Sequence, residues 1–184
     1  MTDDAPRRDR FEALYREHRR PIVAFAMRRV PADRVEDVVA DTFLVAWRRL
    51  PEVPADALPW LYAVAGHVVR NDARAARRGA RLLAKAAAQG EATGGAMGVE
   101  EADGPLDGPL GAALRALSPT DRETLFLAAW EGVSGRRAAT AAGSTRAAFA
   151  VRLHRARRRL AGLLEESNEA GSAPTAAPLR TEET

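Results

Sequence analysis

A chain of 184 residues has room for one ordinary domain or two small helical ones, and neither would hold a large core. Its 28 basic and 25 acidic residues leave a formal charge of +3, yet Lys85 is the only lysine, so the positive charge is almost all guanidinium, the group suited to phosphates and planar hydrogen-bonding partners. The lack of cysteine excludes disulfides, thiol nucleophiles and Cys-containing zinc sites, and no apolar run approaches the ~18 residues of a membrane span or forms a secretion signal, so a cytoplasmic protein without metal or cofactor is expected.

In chain order, residues 1–10 are polar and expected to be disordered. From Phe11 the apolar residues Leu14, Tyr15, Ile22, Phe25 and Ala26 keep a helical spacing interrupted by Pro21, which predicts two helices or one kinked helix. Asp33 is placed to cap the next helix, where Val35, Val38, Val39, Thr42, Phe43, Ala46, Trp47 and Leu50 step by three and four. Pro51 and Pro54 end it. Asp56 is placed to cap a third helix with Pro59 in its first turn and an apolar face of Leu58, Leu61, Val64, Ala65, Val68 and Val69. That helix runs into a basic stretch, Arg70, Arg74, Arg77, Arg78, Arg81 and Lys85, opposed by Asp72 alone.

Residues 83–109 form the expected flexible linker: Gly-rich, without periodicity, and carrying five acids and no base between 91 and 107. Residues 11–82 and 110–166 would then be two domains free to move independently, and residues 167–184 a disordered tail. In the second domain Ser118-Pro119-Thr120-Asp121 predicts a capped helix start. Two more helices follow, with Ser134 and Thr145 as their caps and a Gly143 turn between them, a helix-turn-helix. In the last helix Phe149, Leu153, Ala156 and Leu160 share one face, which leaves Ala147, Val151, His154 and Arg158 on the other. Residues 136–159 hold eight arginines and no acid, so two basic segments flank an acidic one and a polyanion is the expected partner.

These segments carry a family resemblance. LYREHRRPIVAFAMRRV, VEDVVADTFLVAWRRL and PWLYAVAGHVVRNDARAARR, within residues 11–78, resemble the first domain of extracytoplasmic-function (ECF) sigma factors of bacterial RNA polymerase, in the family's order and spacing. LRALSPTDRETLFL, EGVSGRRAATAAGS and RLHRARRRL, within 110–165, resemble its second domain. The resemblance implies an all-α fold and an alternative sigma factor that binds core RNA polymerase and promoter DNA, with an anti-sigma factor as a further partner.

It also implies residue roles. The helix over 35–50 would dock on the polymerase through Glu36, Asp37, Asp41 and Arg48. Residues 51–78 would hold the melted minus-10 strand, with Trp60 and Tyr62 as aromatics beside His67, Arg70, Asn71, Arg74, Arg77 and Arg78, because a single strand is held by a cationic groove with planar groups for stacking. The last helix would read the minus-35 element through Thr145, Arg146, Ala147, Ala150, Val151, Arg152, His154, Arg155 and Arg158. The chain departs from the family pattern at Ala40 (usually Gln), Gly66-His67 (usually Arg-Asn) and Arg137-Ala138-Ala139 (usually Glu-Ile-Ala), and Ser144 replaces an apolar turn residue.

No enzyme is expected. His18, His67 and His154 form no ligand or base pattern, and GGAMG at 94–98 follows no strand and opens no capped helix, so it fails the context of a phosphate loop. Asp37 and Asp41 share a helix face, but a solvated face accounts for them. The alternative reading is a helix-turn-helix regulator that never engages polymerase, and the 11–78 block decides between them.

Overall fold

The computed structural model describes residues 5–88 and 108–171, and every regular element in them is helical. α1 (Ala5–Met27), α2 (Val35–Arg48) and α3 (Ala57–Ala88) pack on one another, with short 3-10 turns at Ala32–Arg34 and Leu50–Glu52 between them. α4 (Gly108–Ala116), α5 (Pro119–Ala129), α6 (Gly135–Ala141) and α7 (Arg146–Gly171) form the second group, centred on α7.

The apolar stripes predict the core. Val35, Val38, Val39, Thr42, Phe43 and Ala46 of α2 are all buried, against Ile22, Phe25 and Ala26 of α1 and Leu61 and Ala65 of α3. Each fully buried Leu, Ile or Phe here is worth ~1.5–3 kcal/mol of transfer free energy. Thr42 satisfies its hydroxyl by donating to the Val38 carbonyl at 2.7 Å. Phe11 meets Trp47 edge-on with centroids 5.2 Å apart, and Arg7 lies 4.4 Å above the same indole, which ties the start of α1 to the end of α2.

Several boundaries differ from expectation. α1 is one helix containing Pro21, and it is already formed at Ala5, so the predicted disordered N-terminus is helical from residue 5. α3 continues to Ala88 and α7 to Gly171, which moves the first six residues of the predicted linker and the first five of the predicted tail into helices. The α3 extension, residues 83–88, is Leu, Lys and four alanines, good helix formers that need no core to propagate a helix already nucleated. The predicted disorder at 89–107 and 172–184 lies outside the described residues.

Of the caps expected at Asp33, Ser118, Ser134 and Thr145, two hold and two do not, while Asp56 stands directly before α3 and pairs with Arg137. Ser118 accepts from the Asp121 amide at 3.1 Å, and Thr145 accepts from Ala148 N at 3.2 Å. Ser134 occupies its cap position without a side-chain bond, and the residue capping α2 is Arg34, Asp33 having been drawn into the 3-10 turn. Between α6 and α7, Gly143 has φ +59°, the left-handed conformation glycine adopts freely, while Ser144 N reaches back to Ala139 O at 2.9 Å.

The two groups do not stand apart. α6 packs on α3, and one apolar cluster runs from Phe25, Leu61 and Tyr62 through Leu127, Val133, Ala138, Ala139, Ala141 and Phe149. Small side chains on α6 let its backbone lie close against α3, and charged residues seal the contact.

Candidate polymerase and nucleic-acid interfaces

The polar face of α2 is fully outward. Glu36, Asp37, Ala40, Asp41 and Arg48 are exposed on a helix whose opposite face is buried. Glu36 accepts both Arg19 Nη2 contacts, at 2.8 and 3.0 Å, and Asp37 pairs with Arg34 at 2.9 Å. Both pairs are exposed, worth little in stability and easily traded for a partner's cations. Leu44, 43% exposed beside Asp41, adds an apolar contact that the sequence pattern did not single out.

α3 carries its cations in a row. His67, Arg70, Asn71, Arg74, Arg77 and Arg78 are all exposed, on successive turns beyond the apolar half of the helix. Gly66 is buried beneath this row: an added Cβ would stand 3.1 Å from Arg70 Nη1, so the glycine lets the guanidinium fold back on the helix. Partial burial, then the charges of Arg70 and Arg74, hold His67 below its ordinary value, so it is neutral at pH 7.

The aromatics divide. Trp60 is half-buried, packed at the core's edge with Arg49 6.0 Å from its ring. Tyr62 is 3% exposed and stacks on Phe25 at 5.3 Å, so it offers no face to a strand in this arrangement. Burial, and then the Glu131 carboxylate, push its hydroxyl up to about 12. The residues around it include Ala138, Ala139 and Glu131, far along the chain, which no local pattern in residues 51–78 reveals.

α7 presents the pattern of a recognition helix. Phe149 and Ala156 are buried and Leu153 and Leu160 half-buried, while Thr145, Arg146, Ala147, Ala150, Val151, His154, Arg155 and Arg158 are exposed. Arg152 is half-buried and turns toward a cavity of about 1000 Å³ between the two groups of helices. Behind α7, Arg159 donates to Asp121 at 2.6 Å and fixes α7 to α5.

Residues 14–79 match the family described as Sigma-70 region 2, and residues 108–160 match that described as Sigma-70, region 4. The RNA polymerase sigma factor NccH of Alcaligenes xylosoxydans xylosoxydans is 33% identical over 143 residues, 75% of this chain and 77% of the relative. The chain belongs to the sigma-70 family, among its ECF sigma factors. A shorter match, 40% over 70 residues, covers 35% of this chain and 39% of the ECF RNA polymerase sigma factor SigL of Mycobacterium tuberculosis. Among solved structures, CnrH in complex with the cytosolic domain of CnrY superposes with a TM-score of 0.56 at 27% identity, covering 85% of this chain and 88% of that one. The sigma factor RpoE of Bartonella quintana, in complex with the anti-sigma factor NepR, shares the fold with a TM-score of 0.61 at 23% identity, over 84% and 96% of the two chains.

This sigma factor is thus an alternative initiation factor that gives RNA polymerase its promoter specificity, with α1–α3 as region 2 and α4–α7 as region 4. The polar face of α2 stands apart, while Arg70, Arg74 and Arg77 of α3 share one cavity with Arg152 of α7. No helix among the described residues is long and apolar enough to cross a membrane.

Proposed function

We propose that this sigma factor divides its task among three helices. α2 docks on core polymerase through Glu36, Asp37, Asp41 and Arg48. The loop after α2 and the helix α3 hold the melted minus-10 strand with Trp60, His67, Arg70, Asn71, Arg74, Arg77 and Arg78. α7 reads the minus-35 element. The observation that carries this reading is the outward face of α2: six residues of the helix are buried, and the face opposite is acidic and exposed on an otherwise Arg-rich chain. Such a face suits a protein partner better than it suits DNA, whose phosphates it would repel.

For α7, Arg146 and His154 are the groups near the helix start suited to hydrogen-bond base edges, Ala147, Ala150 and Val151 offer thymine methyl contacts, and the exposed Arg155 and Arg158 suit the phosphates, with Arg152 joining them only on leaving the cavity. The factor works in the cytoplasm, catalyses nothing itself, and takes an anti-sigma protein as a partner, as the Bartonella relative does with NepR.

Charge reversal of the docking face tests the assignment. Asp37→Arg with Asp41→Arg should abolish co-elution with core polymerase while far-UV circular dichroism stays unchanged. Full co-elution of the folded double variant would remove the docking role and favour a regulator that binds DNA alone.

A further inference from the structure

Among the described residues, nine arginines and two carboxylates line the cavity of about 1000 Å³ between the two groups of helices. Both carboxylates are already engaged. Glu123 accepts two bonds from Arg29, at 2.8 and 3.1 Å, and Asp72 accepts from Arg34 at 3.0 Å. Arg28 donates to Glu131 at 2.6 Å, yet its Nε is buried with no hydrogen-bond partner among the described residues. Arg122 of α5 and Arg152 of α7 are half-buried on the same wall, which Arg70, Arg74 and Arg77 of α3 complete. None of these five side chains makes a hydrogen bond or ion pair to another described residue. Neither docking nor DNA reading gives Arg122 a task.

A guanidinium partly withdrawn from water with no anion beside it is costly, and several of one sign around one space repel each other. A concave wall of a single sign also concentrates its field on whatever enters. Pro119 and Thr120, in the first turn of α5, line the cavity too, so the positive end of that helix adds to the field. Two departures from the family pattern stand on this wall. Gly66 leaves room for the Arg70 guanidinium, 3.1 Å from where a Cβ would be, and Ser144 brings a hydroxyl whose own bond to the Thr145 carbonyl is a long 3.4 Å.

We propose that this cavity is a binding site for a small molecule carrying a chain of two or more phosphates, gripped by Arg122 and Arg152 together with Arg70, Arg74 and Arg77. Planar guanidinium forks hold phosphate oxygens in pairs. Five of them exceed what one carboxylate or sulfate needs, whereas a phosphate chain spreads several charges across the space. The volume lies at the upper end of the ~300–1000 Å³ of small-molecule sites, which leaves room for a group beyond the phosphates. The site rests on the cavity alone. Its consequence rests on the role given above to α3: a ligand on Arg70, Arg74 and Arg77 occupies the cations that hold the minus-10 strand, so ligand and strand compete.

Isothermal titration calorimetry on the full chain, with sodium tripolyphosphate and with ATP in turn, at fixed ionic strength and without magnesium, tests the site. One molecule should bind per chain. Arg122→Gln should weaken it about tenfold, the loss of one charge-assisted fork, with the fold intact because that side chain has no bond to lose. Arg20→Gln, the same charge change on an exposed residue outside the cavity, should leave affinity unchanged. Equal affinities identify the phosphate chain as what is read; tighter ATP adds the nucleoside. No binding of either, or binding that Arg122→Gln weakens no more than Arg20→Gln does, overturns the site. Single-stranded minus-10 DNA is titrated alongside: saturating tripolyphosphate should release it, and Arg122→Gln should hold it as the parent does. A strand that stays bound removes the competition. If Arg74→Ala with Arg77→Ala still holds the strand, the assignment of α3 falls separately, and calorimetry with Arg122→Gln still decides the site.

Discussion

Regions 2 and 4 reach the same helical end by different means. The core of α1–α3 is built from Ile22, Phe25, Val38, Val39, Phe43, Leu50 and Leu61, none more than 3% exposed, large side chains drawn from all three helices and the turn after α2. α4–α7 own only a small cluster, Leu114, Leu117, Leu125, Phe126 and Ala156, while Leu127, Val133, Ala138, Ala139, Ala141 and Phe149 complete their burial in the cluster that continues into region 2. An alanine-rich helix-turn-helix cannot supply the volume for its own core. It can lie close to a neighbour, and here the neighbour is α3.

The strongest way to break this contrast is to separate the regions. Residues 5–88 alone should melt cooperatively, whereas residues 108–171 alone should be largely unfolded or melt far lower, read by circular dichroism; equal melting of the two pieces would erase the distinction. A smaller effect follows from Phe25→Ala, which removes a fully buried ring that stacks on Tyr62 and carries Arg29, and should cost ~3–5 kcal/mol by urea unfolding. Within region 4 the caps sharpen the picture further. Ser118→Ala should cost ~1 kcal/mol because its hydroxyl holds the Asp121 amide. Ser134→Ala should stay within ~0.5 kcal/mol, since its hydroxyl makes no cap bond.

Tyr62 adds a pH signature to the contact between regions. Its hydroxyl titrates near 10 when unfolded and at about 12 when folded, so the unfolded state gives up its proton first. The stability it contributes is intact below pH 10 and is lost as pH rises toward 12. Tyr62→Phe should lose that part of the alkaline decline in thermal unfolding.

Much of this was legible in the residues. The α2 stripe names its six buried residues, the Ser118 and Thr145 caps hold, and the faces of α7 divide as their spacing requires, because helical periodicity and capping are local. The docking of region 4 on region 2 was not. Arg29 and Glu123 are 94 residues apart in sequence, and Arg28 and Glu131 are 103 apart. Neither lies on a periodic stripe that would mark it as buried, and an arginine in an Arg-rich chain reads as solvated until its partner is known. The burial of Tyr62 was hidden for the same reason, and the ends of α1, α3 and α7 because helices propagate past the residues that pack.

One distance tests the whole account most directly: that between fluorophores on Glu12→Cys, exposed in α1, and Ala161→Cys, exposed in α7. In the free chain it should be short and narrowly distributed, the two regions being docked. In the complex of this chain with core polymerase and a promoter carrying both elements it should lengthen by tens of ångströms, and in the Asp37→Arg, Asp41→Arg variant mixed with the same components it should stay short. A distance unchanged in the promoter complex, or already long in the free chain, would contradict a sigma factor that is closed when free and opens at its promoter.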